Sequence, residues 1–104
     1  MVRIRRFHPD FPKDLRDAAH HFDGISAILG QRFRQAVRER LEFITANPDL
    51  YARLAGEVRA AKLKKFPYVL LYVREAAHVD FIALVIGHSD RSNWFERVHE
   101  SDKT

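Results

Sequence analysis

The residues best suited to chemistry crowd into one stretch. Between positions 53 and 74 stand Arg53, Arg59, Lys62, Lys64, Lys65 and Arg74, against the single acid Glu57. Such a cluster neutralises anions, either a phosphate backbone or the carboxylates of a protein partner. The same cations serve equally as a solvated edge strand, because lysines on an edge oppose pairing with other chains. Phe66, Tyr68 and Tyr72 lie beside them, and their rings either stack on bases or pack the core and sheet edge.

Of the six histidines, His88 alone is placed like a reacting group. It ends an apolar strand and precedes Asp90 and Arg91, and strand ends present side chains at the rim of a sheet. An imidazole titrating near pH ~6.5 serves there as general acid or base. A histidine that merely holds a turn by a backbone hydrogen bond fits the same position. His20 and His21 are adjacent on a helix and do not share a face, and neither His-x-x-x-His nor His-x-x-Glu-His occurs, so no metal site and no cofactor is expected. A Gly-rich phosphate loop, a nucleophile elbow and a catalytic carboxylate pair are likewise missing. The chain has no cysteine, which excludes a disulfide framework, a thiolate zinc site and a thiol nucleophile, and fits a reducing cytoplasm.

Those residues need a frame, and the 104-residue chain has room for one domain with one core. Its net charge is +4. That excess sits in two places, the 53–74 segment and residues 1–9, which hold Arg3, Arg5 and Arg6 with no acid; elsewhere acids outnumber bases. Pro9 and Pro12 follow the N-terminal arginines where a secretory signal needs an apolar stretch. The longest apolar run, 81–86, is far short of the ~20 residues that span a bilayer, so no membrane association is expected.

The pattern along the chain predicts the elements. Residues 2–7 alternate apolar and basic, as in a short half-buried strand, and Pro9 and Pro12 end it. Leu15, Ala18, Ala19 and Phe22 mark one face of a helix over 13–22, with Asp14 and Asp17 in its first turns, where carboxylates suit the helix dipole. Gly24 is suited to a left-handed helix end and Ser26 to capping the next helix. That second helix, 27–46, carries the stripe Leu29, Phe33, Val37, Leu41 and Ile44, while Arg32, Arg34, Arg38 and Glu42 fall mostly on the solvent side. Residues 50–56 have no period and read as a loop. Three strands then follow within 58–66, 68–73 and 79–87, the last apolar on both sides and so interior. A turn over 88–93 leads to a short amphipathic helix over 93–99, and the polar tail of 100–104 frays. The order β-α-α-β-β-β is an α+β domain: a helical hairpin on one face of a small, mostly antiparallel sheet, with a short C-terminal helix.

Read in order, Phe7-His8-Pro9 with Leu15, Leu29-Gly30-Gln31-Arg32-Phe33, Asn47-Pro48, Val58-Arg59-Ala60, Phe66-Pro67-Tyr68 with Tyr72, and His88 with Arg91, Trp94 and Arg97 resemble the ParE/RelE superfamily of type II toxin–antitoxin toxins, on the ParE-like side. The resemblance implies a bacterial cytoplasmic toxin of plasmid-stabilisation type, neutralised in a hetero-oligomer by a small antitoxin whose C-terminal segment wraps it. With helices on one face only, the sheet leaves its other face and basic rim to such a segment. On the ParE-like side the implied target is DNA gyrase, and contacts to target or antitoxin fall to Arg59, Lys62, Lys64, Lys65, Tyr68, Arg91, Trp94 and Arg97. RelE-like members instead cleave mRNA on the ribosome without metal, which would assign catalysis to His88, Lys64 and Arg59. No tyrosine follows Tyr72, so the C-terminal tyrosine of many RelE-like chains is missing here. A third reading is a non-toxic basic module that binds nucleic acid with strong salt dependence.

Overall fold

The computed structural model describes residues 4–87 together with Arg97. They form β1 (Ile4–Phe7), α1 (Phe11–Asp23), α2 (Ala27–Ala46), β2 (Arg53–Ala55), β3 (Val58–Lys62), β4 (Tyr68–Arg74) and β5 (His78–Ile86). The strands make one sheet in the order β1-β5-β4-β3-β2. Only β1 against β5 is parallel; the other three pairings are antiparallel. The α+β layout is the expected one.

Each helix boundary has a local cause. Pro12 sits in the first turn of α1, where its missing N–H is not needed. His8 satisfies two donors at that end: Nδ1 accepts from the Asp10 N–H at 3.1 Å and its carbonyl from the Phe11 N–H at 2.9 Å. The His8 N–H in turn reaches the Phe81 carbonyl at 2.9 Å, tying the helix start to β5. At the other end Gly24 departs from expectation. Its φ is −65°, right-handed, and the turn tightens through Ile25 and Ser26 N–H groups that both donate to the Phe22 carbonyl. Ser26 caps α2 as its sequence position implies, Oγ accepting from the Leu29 N–H at 3.0 Å.

The hairpin is held close at Gly30. A Cβ built there would lie 1.7 Å from Asp23 Oδ1. Asp23 occupies that space because Arg34 grips it with both terminal nitrogens, at 2.8 and 2.7 Å. The ion pair holds the Asp23 carboxyl below the usual carboxylate range.

The core lies between the hairpin and the sheet, where Phe22, Phe33, Val37 and Ile44 meet Leu70, Tyr72 and Phe81. In β5 the alternation changes phase. Leu71 pairs Ala83 while Tyr72 pairs Phe81, so Ile82 is an extra residue, a β-bulge. Val79, Phe81 and Leu84 therefore face the helices, and Ile82 and Ala83 both face away. This accounts for the nearly unbroken apolar run. β5 is interior, between β1 and β4, as that run implies.

Three further expectations change. Residues 50–56 are not all loop: Arg53–Ala55 form β2, a three-residue edge strand paired irregularly with β3. The face of the sheet away from the helices is not open apolar surface, since Val58, Val69, Leu71, Ile82 and Ala83 form a second buried cluster with Leu71 at 0% exposure. The first helix begins two residues earlier than its apolar period suggests. The short helix expected over 93–99 and the tail beyond it lie outside the described residues, Arg97 excepted. Among the described residues no helix is long and apolar enough to cross a membrane.

Candidate functional site

Folding disperses the six cations of the 53–74 stretch. Arg53 lies 3.6 Å from Glu57, its neighbour across the β2–β3 turn. Arg59 points to the helix side of β3, where one terminal nitrogen donates to the Tyr51 carbonyl at 2.6 Å and the other lies 3.6 Å from Asp49 Oδ1. Arg74 Nε approaches the same carboxylate oxygen at 3.0 Å. The loop that receives both arginines is also held from beneath, because the Tyr72 hydroxyl donates to the Pro48 carbonyl at 2.8 Å. Burial pushes the Tyr72 hydroxyl up to about 12. Arg59 is thereby a brace for residues 48–51, with its side chain only 14% exposed.

Lys62, Lys64 and Lys65 are the remainder, exposed and with no ion-pair partner among the described residues. Lys62 stands apart from the other two. Lys62 ends β3 on the side away from Ala61 and Leu63, which face the helices. Lys64 and Lys65 stand on the turn between β3 and β4, closed by the Leu63 N–H donating to the Tyr68 carbonyl at 2.9 Å. Lys65 takes φ +68°, the left-handed region in which side chains other than glycine's are uncommon. Phe66 anchors the turn, packing edge-on against Phe22 and Phe33 at 5.1 and 5.2 Å between ring centres.

Between this turn and α2 runs a cleft of about 630 Å³. Half-buried Leu29, Ala36 and Phe66 give it an apolar wall; Arg32, Lys64 and Lys65 give it positive charge; Gln35 and Glu39 line the remainder. Gln35 is engaged on both sides, donating to Glu39 at 3.0 Å and accepting from Arg38 at 2.7 Å. Arg32 has no such tie among the described residues. Sequence reasoning assigned Arg32 to the solvent side of α2 and passed over Glu39. The available signal was the spacing of Arg32, Gln35, Ala36 and Glu39, a second helical stripe bordering the Leu29–Phe33 core stripe.

Tyr68 and Arg97, expected at a contact surface, are bound into the fold. Tyr68 is buried with its ring 5.2 Å from that of Phe33, and burial raises its hydroxyl above the ordinary range. Arg97 pairs with Asp14 through both terminal nitrogens, one of them at 3.1 Å, and also donates to the Ile82 carbonyl at 3.2 Å. Asp14 accepts in addition from the Leu84 N–H at 3.2 Å, so its carboxylate joins α1, β5 and Arg97. Sequence reasoning gave Asp14 only a helix-dipole role. His88, Arg91 and Trp94 lie outside the described residues. Of the proposed catalytic trio, Arg59 stands near the start of β3 and Lys64 in the turn beyond the strand's end at Lys62. No group of three or more His, Asp or Glu side chains suited to a metal ion occurs among the described residues.

Comparison with known proteins agrees with this fold. A search of curated proteins gives no match. A solved structure described as the chromosomal ParDE toxin–antitoxin system from P. aeruginosa is similar, with a TM-score of 0.57 and 13% identity over 80% of this chain and 94% of the other. At that identity the likeness is one of fold. The family model described as "ParE toxin of type II toxin-antitoxin system, parDE" matches residues 5–92. That span takes in α1, α2, β2 to β5 and all of β1 but Ile4, and the chain belongs to the ParE toxin family.

Proposed function

We propose that this protein is the toxin of a type II toxin–antitoxin pair, acting in the bacterial cytoplasm on a macromolecular target, with DNA gyrase favoured, and neutralised by a cognate antitoxin in a hetero-oligomer. The observation that carries the reading is the family match across residues 5–92. The described part of the molecule agrees with a protein that works through its surface. Arg34, Arg59, Arg74 and Arg97 are partnered within the fold, and Arg32, Lys64 and Lys65 line an open cleft.

The rival reading is a ribosome-dependent mRNA endoribonuclease using His88, Lys64 and Arg59. Against it stands the place of Arg59, which braces residues 48–51 at the far end of β3 from Lys64. A cation spent on a carbonyl and a carboxylate is not poised for a phosphate. Induced expression with two readouts separates the two. The proposal expects growth arrest with gyrase-linked DNA breaks and intact mRNA, reversed by co-expression of the antitoxin encoded beside the gene. Cuts in mRNA on translating ribosomes, lost on replacing His88 and Lys64 together, would establish the nuclease. Normal growth together with salt-dependent binding to naked DNA or RNA would favour the non-toxic module.

A further inference from the structure

We propose that the cleft between α2 and the β3–β4 turn is the docking site for an acidic, amphipathic segment of the antitoxin. This rests on the toxin–antitoxin reading and locates the partner on the molecule.

The centre of the opposite face of the sheet is already buried, with Leu71, Ile82 and Ala83 at 0–1% exposure. The cleft combines what that face lacks. Arg32, Lys64 and Lys65 line it without a carboxylate partner among the described residues, beside the apolar side chains of Leu29, Ala36 and Phe66. One helical turn before Arg32 on the same stripe stands Ile28, 62% exposed, which lengthens the apolar strip. An amphipathic segment with carboxylates along one side matches both parts, its apolar side chains against the wall and its acids against the three cations. A phosphodiester chain would use the cations and leave the apolar strip in water.

Lys65 adds an independent observation. Its φ of +68°, at an exposed turn, costs a side chain that glycine would spare. Lys65→Gly therefore relaxes the turn while removing a docking charge. The proposal expects this variant to melt at a higher temperature and to bind the antitoxin more weakly.

Binding of the full-length toxin to the antitoxin encoded beside its gene, measured by calorimetry at two salt concentrations, tests the site. Arg32→Glu, Lys64→Glu and Lys65→Glu combined are expected to raise Kd about 100-fold and to remove most of the salt dependence. Ile28→Ser is expected to weaken binding about tenfold with the salt dependence unchanged. Arg53→Glu, on β2, is the control and is expected to bind like the parent. Equal binding by parent and triple variant would overturn the site while leaving the toxin–antitoxin reading intact. No binding by the parent would remove that reading, and this proposal with it. Tight binding of a 20-nucleotide RNA, lost in the triple variant and blocking the antitoxin, would make the cleft a nucleic-acid site and refute the assignment.

Discussion

Replacing Tyr72 by Phe tests how the brace under residues 48–51 is built. The hydroxyl is fully buried and donates to the Pro48 carbonyl at 2.8 Å. Its loss leaves that carbonyl without a donor, which costs about 1–3 kcal/mol at neutral pH. The alkaline behaviour is the sharper part. Burial raises the folded-state value of Tyr72 to about 12, above an ordinary value of 10.0. The neutral hydroxyl therefore contributes fully below the ordinary value, and its contribution declines as pH rises towards the folded one. Two units at about 1.4 kcal/mol each make roughly 2.7 kcal/mol of alkaline destabilisation that Tyr72→Phe lacks. Urea unfolding followed by far-UV circular dichroism, at intervals from pH 8 to pH 12, reads both effects, since other titrating groups are common to the two proteins. The stability gap between parent and variant is expected to be largest near pH 8 and to close towards pH 12. A gap that stays constant across this range would refute a buried donor at Tyr72.

Other outcomes follow from the same geometry. Gly30→Ala places a methyl group on the exposed Asp23 carboxylate while giving α2 alanine's helix propensity, so the net change in stability is expected to stay within about 1 kcal/mol of zero and to become a gain of about 1 kcal/mol in an Asp23→Ala background, as a double-mutant cycle in urea would show. The Asp23 carboxyl is held low by Arg34, so its contribution is present above the ordinary carboxylate value and lost as pH falls through the folded one; Arg34→Met should flatten the acid limb of the stability curve. Ser26→Ala removes the acceptor for the Leu29 N–H and should lower stability by about 1 kcal/mol in the same assay. Arg59→Met should lower the melting temperature and increase hydrogen exchange in residues 48–51; a variant equal to the parent in both would remove the bracing role.

What was legible in the sequence depended on whether the signal was local. The stripe of α2 and its Ser26 cap could be read because periodicity and capping act over one or two turns. β2 escaped because three residues, Arg53–Ala55, are too few to display an alternation, and their pairing depends on β3. The phase change in β5 comes from the bulge at Ile82, which only the partner strand reveals. For the candidate site, a count of charge along the chain marked out a segment but could not assign partners. Asp49, outside that segment, takes two of its arginines, and Arg32, from the helix face read as solvated, joins two of its lysines. The roles of Tyr72 and Pro48 became clear only once the hydrogen bond joined them across 24 positions.

The parallel pairing of β1 with β5 bears on how this protein is made. Ile4 sits opposite His78, so β1 leaves the ribosome long before β5, the strand it pairs with. Closing a segment of that length costs on the order of 4 kcal/mol in chain entropy, recovered only when β5 is in place. During synthesis the hairpin of α1 and α2 can form early, while Ile4 to Phe7 remain an unpaired apolar and basic strand. The sheet is therefore completed late. A partner present during translation would meet the cleft of α2 and the β3–β4 turn before the N-terminal edge has been built.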